Sequence, residues 1–419
     1  MSKISWKEML SLNAYWIGLS FMWNSLHVII LPAILLHLVP DTLKNTYLGL
    51  MTMIGLLIAM LVQPISGAIS DHWKSKWGRR RPLIFLGTAG DLLFLAVLGW
   101  SGGLGWLAAG YIGLQLSSNI AHGPAQGLLP DRVPDHQIGK ASGIKNLMDM
   151  LGLVVSSLLI GRMLSPETRQ PFGEVGVIAA MLVFGALITL LGTREVPTQQ
   201  LESPHRKPFF SNGTFLNLPK SYLWLIGSRF AFLAAVYGIQ TFAQYYIRDV
   251  LAVPNPIELT GDLLATITLA LIFFALLAGW LGDRLGHKPI LVAASVIGSI
   301  GSLLLLLARS PTTLLLFGSI VGVGIGLFIT SNWALANKYA SSKEAGRFLG
   351  LTNLATAGAG IVGRLEGPLI DILNILNPGK WWGYSALFIS GAILMLVSAG
   401  LLRQVTSWKN LDGDDSALE

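Results

Sequence analysis

Long apolar runs separated by short polar loops restrict this chain more than anything else in its sequence. The runs are about 20 residues long, the length a helix needs to cross roughly 30 Å of hydrocarbon. Of the 419 residues, 53% are hydrophobic and only 12% charged, about half the charged fraction of a soluble domain. The chain therefore reads as an all-α polytopic membrane protein. Twelve spans are expected, over residues 12–36, 46–70, 82–100, 105–129, 141–161, 174–193, 222–246, 260–282, 288–308, 312–336, 347–372 and 383–403.

An even number of spans puts both termini on one side, and the basic residues choose it. Twenty-one Lys and Arg fall on the terminal side and six on the other, which predicts cytoplasmic termini. The same asymmetry accounts for the net charge of +7 without a nucleic-acid partner. Lys3, Lys7 and Glu8 precede a first run too long for a cleavable signal. The proline-rich interval from 194 to 221 reads as a cytoplasmic linker. It separates a six-helix bundle over 1–193 from a second over 222–406, followed by a cytoplasmic tail over 407–419. The chain has no cysteine, so disulfides and thiolate metal sites are excluded. No nucleophile elbow, zinc-protease motif or phosphate-binding P-loop occurs. An enzyme, a cofactor, a metal and ATP as driving force are therefore not expected.

The two halves repeat one another. Gly67–Pro82 reads GAISDHWKSKWGRRRP, and Gly279–Pro289 reads GWLGDRLGHKP. In each, a Gly precedes an Asp by four residues and a Gly followed by basic residues closes the loop. Gly78 and Gly286 are 208 positions apart. A second match, GKASGIKNL from Gly139 and GRFLGLTNL from Gly346, lies at an offset of 207. Parallel six-span repeats are a transporter architecture, with a solute site near the midplane.

These loops resemble the signature between spans 2 and 3 of the major facilitator superfamily and its weaker copy between spans 8 and 9. The RRRP ending, and His122-Gly123-Pro124 at the end of span 4, are similar to the sucrose/proton symporters and the glycoside–pentoside–hexuronide cation symporters. The resemblance implies twelve helices in two six-helix bundles and a gating role for Gly67, Asp71, Gly78, Arg79, Arg80 and Arg81, with Gly279, Asp283 and Arg284 as counterparts. It would set Asp71 at the start of span 11, near Gly346 and Arg347, where a helix N-terminus favours a carboxylate, and Asp283 near Gly139 and Lys140. Carriers of the melibiose type hold cation-binding acids in spans 2 and 4. Span 2 here has none, and His122 stands beside Gly-Pro, so proton coupling is expected rather than sodium.

Ionisable residues inside spans need a partner or a cavity. Asp91, His122, Asp149 and Arg229 fall roughly 10–14 Å from the cytoplasmic edge at 1.5 Å per residue. They are candidates for a proton relay or a solute clamp, with a static set of ion pairs as the competing role. Glu366 joins them farther along span 11. It is two residues from Arg364, so the two would not face each other on one helix.

In the resembling fold, spans 1, 4, 7 and 10 line the cavity. Asn24 and His27 in span 1, Asn119 and Gln126 in span 4, Tyr237, Gln240 and Gln244 in span 7, and Asn332 and Trp333 in span 10 are the candidates. Amides bond hydroxyl groups in both directions and aromatic rings cover the apolar faces of a sugar. Interhelical bonding is the competing role for Asn and Gln. The expected protein is a monomeric secondary transporter in the cell membrane, moving a sugar or glycoside with protons by alternating access. An uncoupled facilitator or exporter of an amphipathic solute, and a transporter-like sensor or assembly factor, remain as rivals.

Overall fold

The computed structural model describes residues 3–100, 102–193, 195, 219–339 and 345–405. The expected tail lies outside the described residues, as does the linker except for Glu195 and residues 219–221. The helices are α1 (Trp6–Leu38), α2 (Lys44–His72), α3 (Arg81–Trp100), α4 (Leu104–Arg132), α5 (Asp135–Met163) and α6 (Phe172–Gly192). They continue as α7 (Lys220–Leu251), α8 (Pro256–Leu285), α9 (His287–Leu305), α10 (Pro311–Tyr339), α11a (Ala345–Arg364), α11b (Glu366–Leu376) and α12 (Trp382–Arg403). Ten are long and apolar enough to cross a membrane; α4 and the two parts of α11 fall short. In α4 the shortfall comes from Gln115, Asn119, His122 and Gln126, the polar residues a solute site would require.

Local chemistry explains the helix ends and breaks. Ser5 caps α1 by accepting the Glu8 amide at 3.3 Å, with Glu8 in the first turn. A wide π-helical segment, Ser25–Ile30, interrupts α1 just before Pro32, which has no amide hydrogen to donate. Span 11 was expected to run unbroken over 347–372. It breaks at Leu365 instead, because Pro368 cannot donate to the Arg364 carbonyl and its ring clashes there. Gly78 and Gly286, the closing glycines of the two loop motifs, both take a positive φ, 96° and 87°. That region is open to glycine without a Cβ penalty.

The chain divides into two compact units: residues 1–205 with 252–265, and residues 206–251 with 266–419. In the first, α1 packs against α5 and α6, α4 against α2 and α3. α2 and α4 approach closely at Gly67 and Gly123, where an added Cβ on Gly123 would strike the Gln63 carbonyl. In the second, α7 packs against α11a and α12, α9 against α10 and α12. Phe232 of α7 stacks on Phe328 of α10 with ring centroids 3.9 Å apart.

Candidate functional site

The loop motif of the first unit organises itself around Arg80, which is 4% exposed. Its guanidinium lies 2.5 Å from Asp71 and 2.9 Å from Asp131. It also donates to the Gly67 carbonyl at 3.2 Å and to the Ser70 hydroxyl. Arg79 adds a 2.5 Å contact to Asp131, and Arg81 donates to the Leu190 carbonyl. The Glu195 carboxylate accepts the Arg80 amide at 3.0 Å. Burial pushes the Glu195 carboxyl above its usual range, against the pull of the Arg80 and Arg79 amides. Asp71, expected at the start of span 11, has its ion pair with Arg80 inside its own unit; the Arg347 side chain lies outside the described residues. Arg80 is thus the hub of the cluster, whereas the resemblance centred the expected gating contact on Asp71.

The second loop keeps the turn, and among the described residues it shows no ion cluster like that around Arg80. Asp283 and Arg284 are exposed, and Arg284 lies 4.1 Å from the Trp280 ring centroid. Lys288, the counterpart of Arg80, donates to the carbonyls of Arg403 and Val405 at 3.2 and 2.5 Å. Gly279 meets nothing on the side where a Cβ would sit.

A polar cluster joins α1 to α4. The His27 ring bonds the Tyr111 hydroxyl at 2.9 Å, Gln115 donates to that hydroxyl at 2.8 Å, and Asn119 donates to the Gln115 side chain at 3.3 Å. Trp23 stacks on His27 with centroids 5.0 Å apart and donates to Ser118 at 3.2 Å. Tyr111 and Gln115 were not among the expected residues. The signal was present: Tyr111, Gln115, Asn119, His122 and Gln126 follow at four, four, three and four residues, one helix face. Asn24 turns the other way and donates to Ser156 and Ser157 of α5 at 2.8 and 2.9 Å. It ties helices together.

The titratable residues separate. Asp149 pairs with Lys145, one turn earlier on α5, at 2.9 Å. The Lys145 ammonium lies 3.9 Å from the centroid of the Trp16 ring. His122 meets Trp16 edge-on at 5.1 Å and bonds Gln126 at 3.1 Å. α1, α4 and α5 therefore join His122 and Asp149 through Trp16 and Lys145, a lysine the sequence reading used only for topology. Asp91 stands apart. It is fully buried, accepts Ser117 at 2.5 Å and has one oxygen without a partner.

In the second unit, Arg229 of α7 donates to Asn332 of α10 at 2.8 Å and to Thr356 of α11a at 2.9 Å. It lies 4.7 Å from the Trp333 ring centroid. Tyr237 stands within electrostatic reach of Arg229 and Arg364. Tyr237 and Gln240 are partly exposed. Gln244, expected on the same stripe, is 2% exposed with neither polar atom bonded. Arg364 donates to the Gly360 carbonyl at 2.8 Å, while Glu366 accepts Ser390 of α12 at 3.2 Å. The break at Leu365 places these two on separate helices, so the expected spacing on one helix does not apply.

The model of the Major Facilitator Superfamily matches residues 9–364 and 260–410. The chain belongs to the Major Facilitator Superfamily. It is a multi-pass membrane transporter of small molecules and not an enzyme. It is 24% identical over 422 residues to the "Multi-drug resistance efflux pump PmrA" of Streptococcus pneumoniae serotype 4, covering 95% of this chain and 96% of that one. It is also 24% identical over 415 residues to the "Multidrug resistance protein MdtG" of Enterobacter lignolyticus, covering 94% and 91%. Among solved structures, the nucleoside transporter NupG superposes with a TM-score of 0.71 at 15% identity, covering 95% of this chain and 98% of that one. A bacterial homolog of the human lysosomal transporter Spinster, inward-facing and occupied, gives 0.75 at 15%, covering 95% and 96%.

For a Major Facilitator Superfamily protein, the twelve-span, two-bundle reading follows, with α11a and α11b making one span between them.

Proposed function

We propose that this protein is a proton-linked secondary transporter that exports a small amphipathic solute by alternating access, with both termini in the cytoplasm. The carrying observation is the Lys145–Asp149 pair held against Trp16, with His122 on the same ring. The pair lies about 15–21 Å along α5 at 1.5 Å per residue, among helices long and apolar enough to span. A proton taken up by the Asp149 carboxylate removes its charge and releases Lys145 from the pair. Loss of the proton on the other side restores it. A change that alters one local electrostatic contact can bias two conformations, provided the contact differs between them. The Trp16 and Trp23 rings suit a solute with an apolar face. The relatives named as multidrug efflux pumps support export and an amphipathic cargo.

A second reading, proton symport of a sugar or glycoside as in the sucrose and glycoside–pentoside–hexuronide branch, draws on the His27–Tyr111–Gln115–Asn119 network. Its hydroxyl and amide groups match the hydroxyls of a sugar.

The experiment is paired gradient-driven flux and counterflow in proteoliposomes, with labelled sucrose and three amphipathic dyes: anionic, neutral and cationic. Wild type concentrates a dye when a pH gradient is imposed. Asp149→Asn loses this accumulation and keeps exchange, which needs no net proton movement. Accumulation by Asp149→Asn equal to wild type makes Asp149 structural. Flux that ignores the gradient leaves an uncoupled facilitator, and sucrose flux without dye flux selects the second reading. Binding without any flux leaves a sensor.

A further inference from the structure

Arg229 is a buried cation with no acid beside it. Its side chain leaves α7 about 14 Å from the helix start at 1.5 Å per residue, and the residue is 4% exposed. Both hydrogen-bond partners, Thr356 and Asn332, are neutral. Among the described residues no carboxylate lies within ion-pair distance of it. Two cations of the first unit differ in having acids beside them among the described residues. Arg80 has Asp71 and Asp131, and Lys145 has Asp149. An ionised group inside a membrane-spanning segment is costly unless it pairs, reaches a carbonyl or faces a solute path. Arginine does not escape by losing its proton.

The donors around Arg229 exceed the acceptors. The guanidinium carries five N–H groups in a planar fork. The Nε donor is taken by Thr356, and one Nη1 donor by Asn332. Nη2 makes no protein hydrogen bond and is not among the sealed polar atoms, so its edge faces open space. The Asn332 side chain, which accepts from Arg229 through Oδ1, leaves its Nδ2 donor buried without an acceptor. Trp333, the next residue on α10, places its ring 4.7 Å from the guanidinium carbon. An unused donor edge on a positive fork beside an indole face suits an oxyanion attached to a flat apolar body.

We propose that Arg229, Asn332 and Trp333 form the anion subsite for the transported solute. The open guanidinium edge binds a carboxylate or phosphate-type oxyanion, Asn332 holds the guanidinium in place through its Oδ1, and Trp333 covers the adjoining apolar group. This rests on the transporter reading above and narrows its cargo to an amphipathic organic anion.

The test uses full-length protein in lipid nanodiscs and four matched probes: benzoate, phenyl phosphate, benzamide and benzylamine. Thermal stability and tryptophan fluorescence are read during titration. At least one anion raises the melting temperature and quenches fluorescence at millimolar concentration, and the uncharged and cationic probes do neither. The benzoate and phenyl phosphate arms separate a carboxylate from a phosphate cargo. Arg229→Gln weakens the anion by about tenfold or more, a change of about 1.4 kcal/mol, while Arg229→Lys keeps part of the affinity. Trp333→Leu leaves Arg229 in place and weakens both phenyl anions. The proposal is overturned by equal responses to benzoate and benzamide in wild type, by no response to either anion, or by an anion response that survives Arg229→Gln. Anion binding without proton-linked flux keeps the subsite and removes the transport reading. Proton-linked flux with no anion preference removes the subsite alone.

Discussion

Lys145 and Asp149 stand one turn apart on α5 with 2.9 Å between their charged atoms, and the Lys145 ammonium also lies 3.9 Å from the Trp16 ring centroid. Lys before acid is the weaker order for an i,i+4 pair on a helix. Its contribution to helix stability alone is a few tenths of a kcal/mol, so the contact to α1 and the neighbouring His122 are its more informative features.

The pair should behave as a coupled unit. Each side chain is 27% exposed, between a surface pair worth about 0.2–1 kcal/mol and a buried one. Removing one partner costs about 3–5 kcal/mol in the fully buried limit. Lys145→Gln and Asp149→Asn should each lower the melting temperature, and the double variant should fall less than their sum. Strict additivity in a double-mutant cycle means the two charges do not interact.

Arg80 should matter more to the first loop than Arg79. Arg80→Ala leaves Asp71 and Asp131 near each other without their shared cation, a loss of about 3–5 kcal/mol if they stay buried. Arg79→Ala leaves Asp131 paired with Arg80 and should cost about 1 kcal/mol. Thermal unfolding of both variants gives the order, and equal losses would deny Arg80 its central place. Asp71→Asn should fold, and should reduce flux by weakening closure of this loop. Undiminished flux would leave the ion cluster with a topological role only.

Glu195 gives a pH dependence with a definite sign. Burial raises its carboxyl in the folded protein. Its contribution to stability is therefore complete below the ordinary Glu range, about pH 4.3, and is lost as pH rises through the raised value. Glu195→Gln copies the protonated form. Wild type and variant should melt together near pH 4 and diverge as pH rises, with the variant the more stable. A constant difference across the range would mean that Glu195 does not titrate differently on folding.

The basic residues predict orientation. Tags at residue 2, within 198–218 and at 415, all outside the described residues, should be reached only from the cytoplasm, and a tag at 42 only from outside. Labelling of the 198–218 segment from outside the cell would break the twelve-span map.

Much of the candidate site was readable because helix periodicity fixes which residues share a face. His27, Asn119 and His122 lie on polar faces of α1 and α4 for that reason. Asn24 and Gln244 show the limit. Each is an amide in a suitable span, yet Asn24 points to the α5 serines and Gln244 is sealed, since a helix turns 100° per residue and its neighbours decide which side opens.

The sequence by itself determined the class, the spans, the repeat and the loops, since these depend on run length, charge counting and short-range spacing. Pro368 even carried the break of the eleventh span in plain view. Only the tertiary structure decided which charges pair. Lys145 was close to Asp149 in sequence, but its place on Trp16 needed α1 to pack on α5. Arg80 became the hub because α2, α3 and α4 bring Asp71, Ser70 and Asp131 to one guanidinium. Arg229 was an ionisable residue inside a span in either view. That neutral partners alone surround it among the described residues depends on which faces of α10 and α11a meet α7. Electrostatic interaction falls with distance and rises as water is excluded, and both are set by packing rather than by position along the chain.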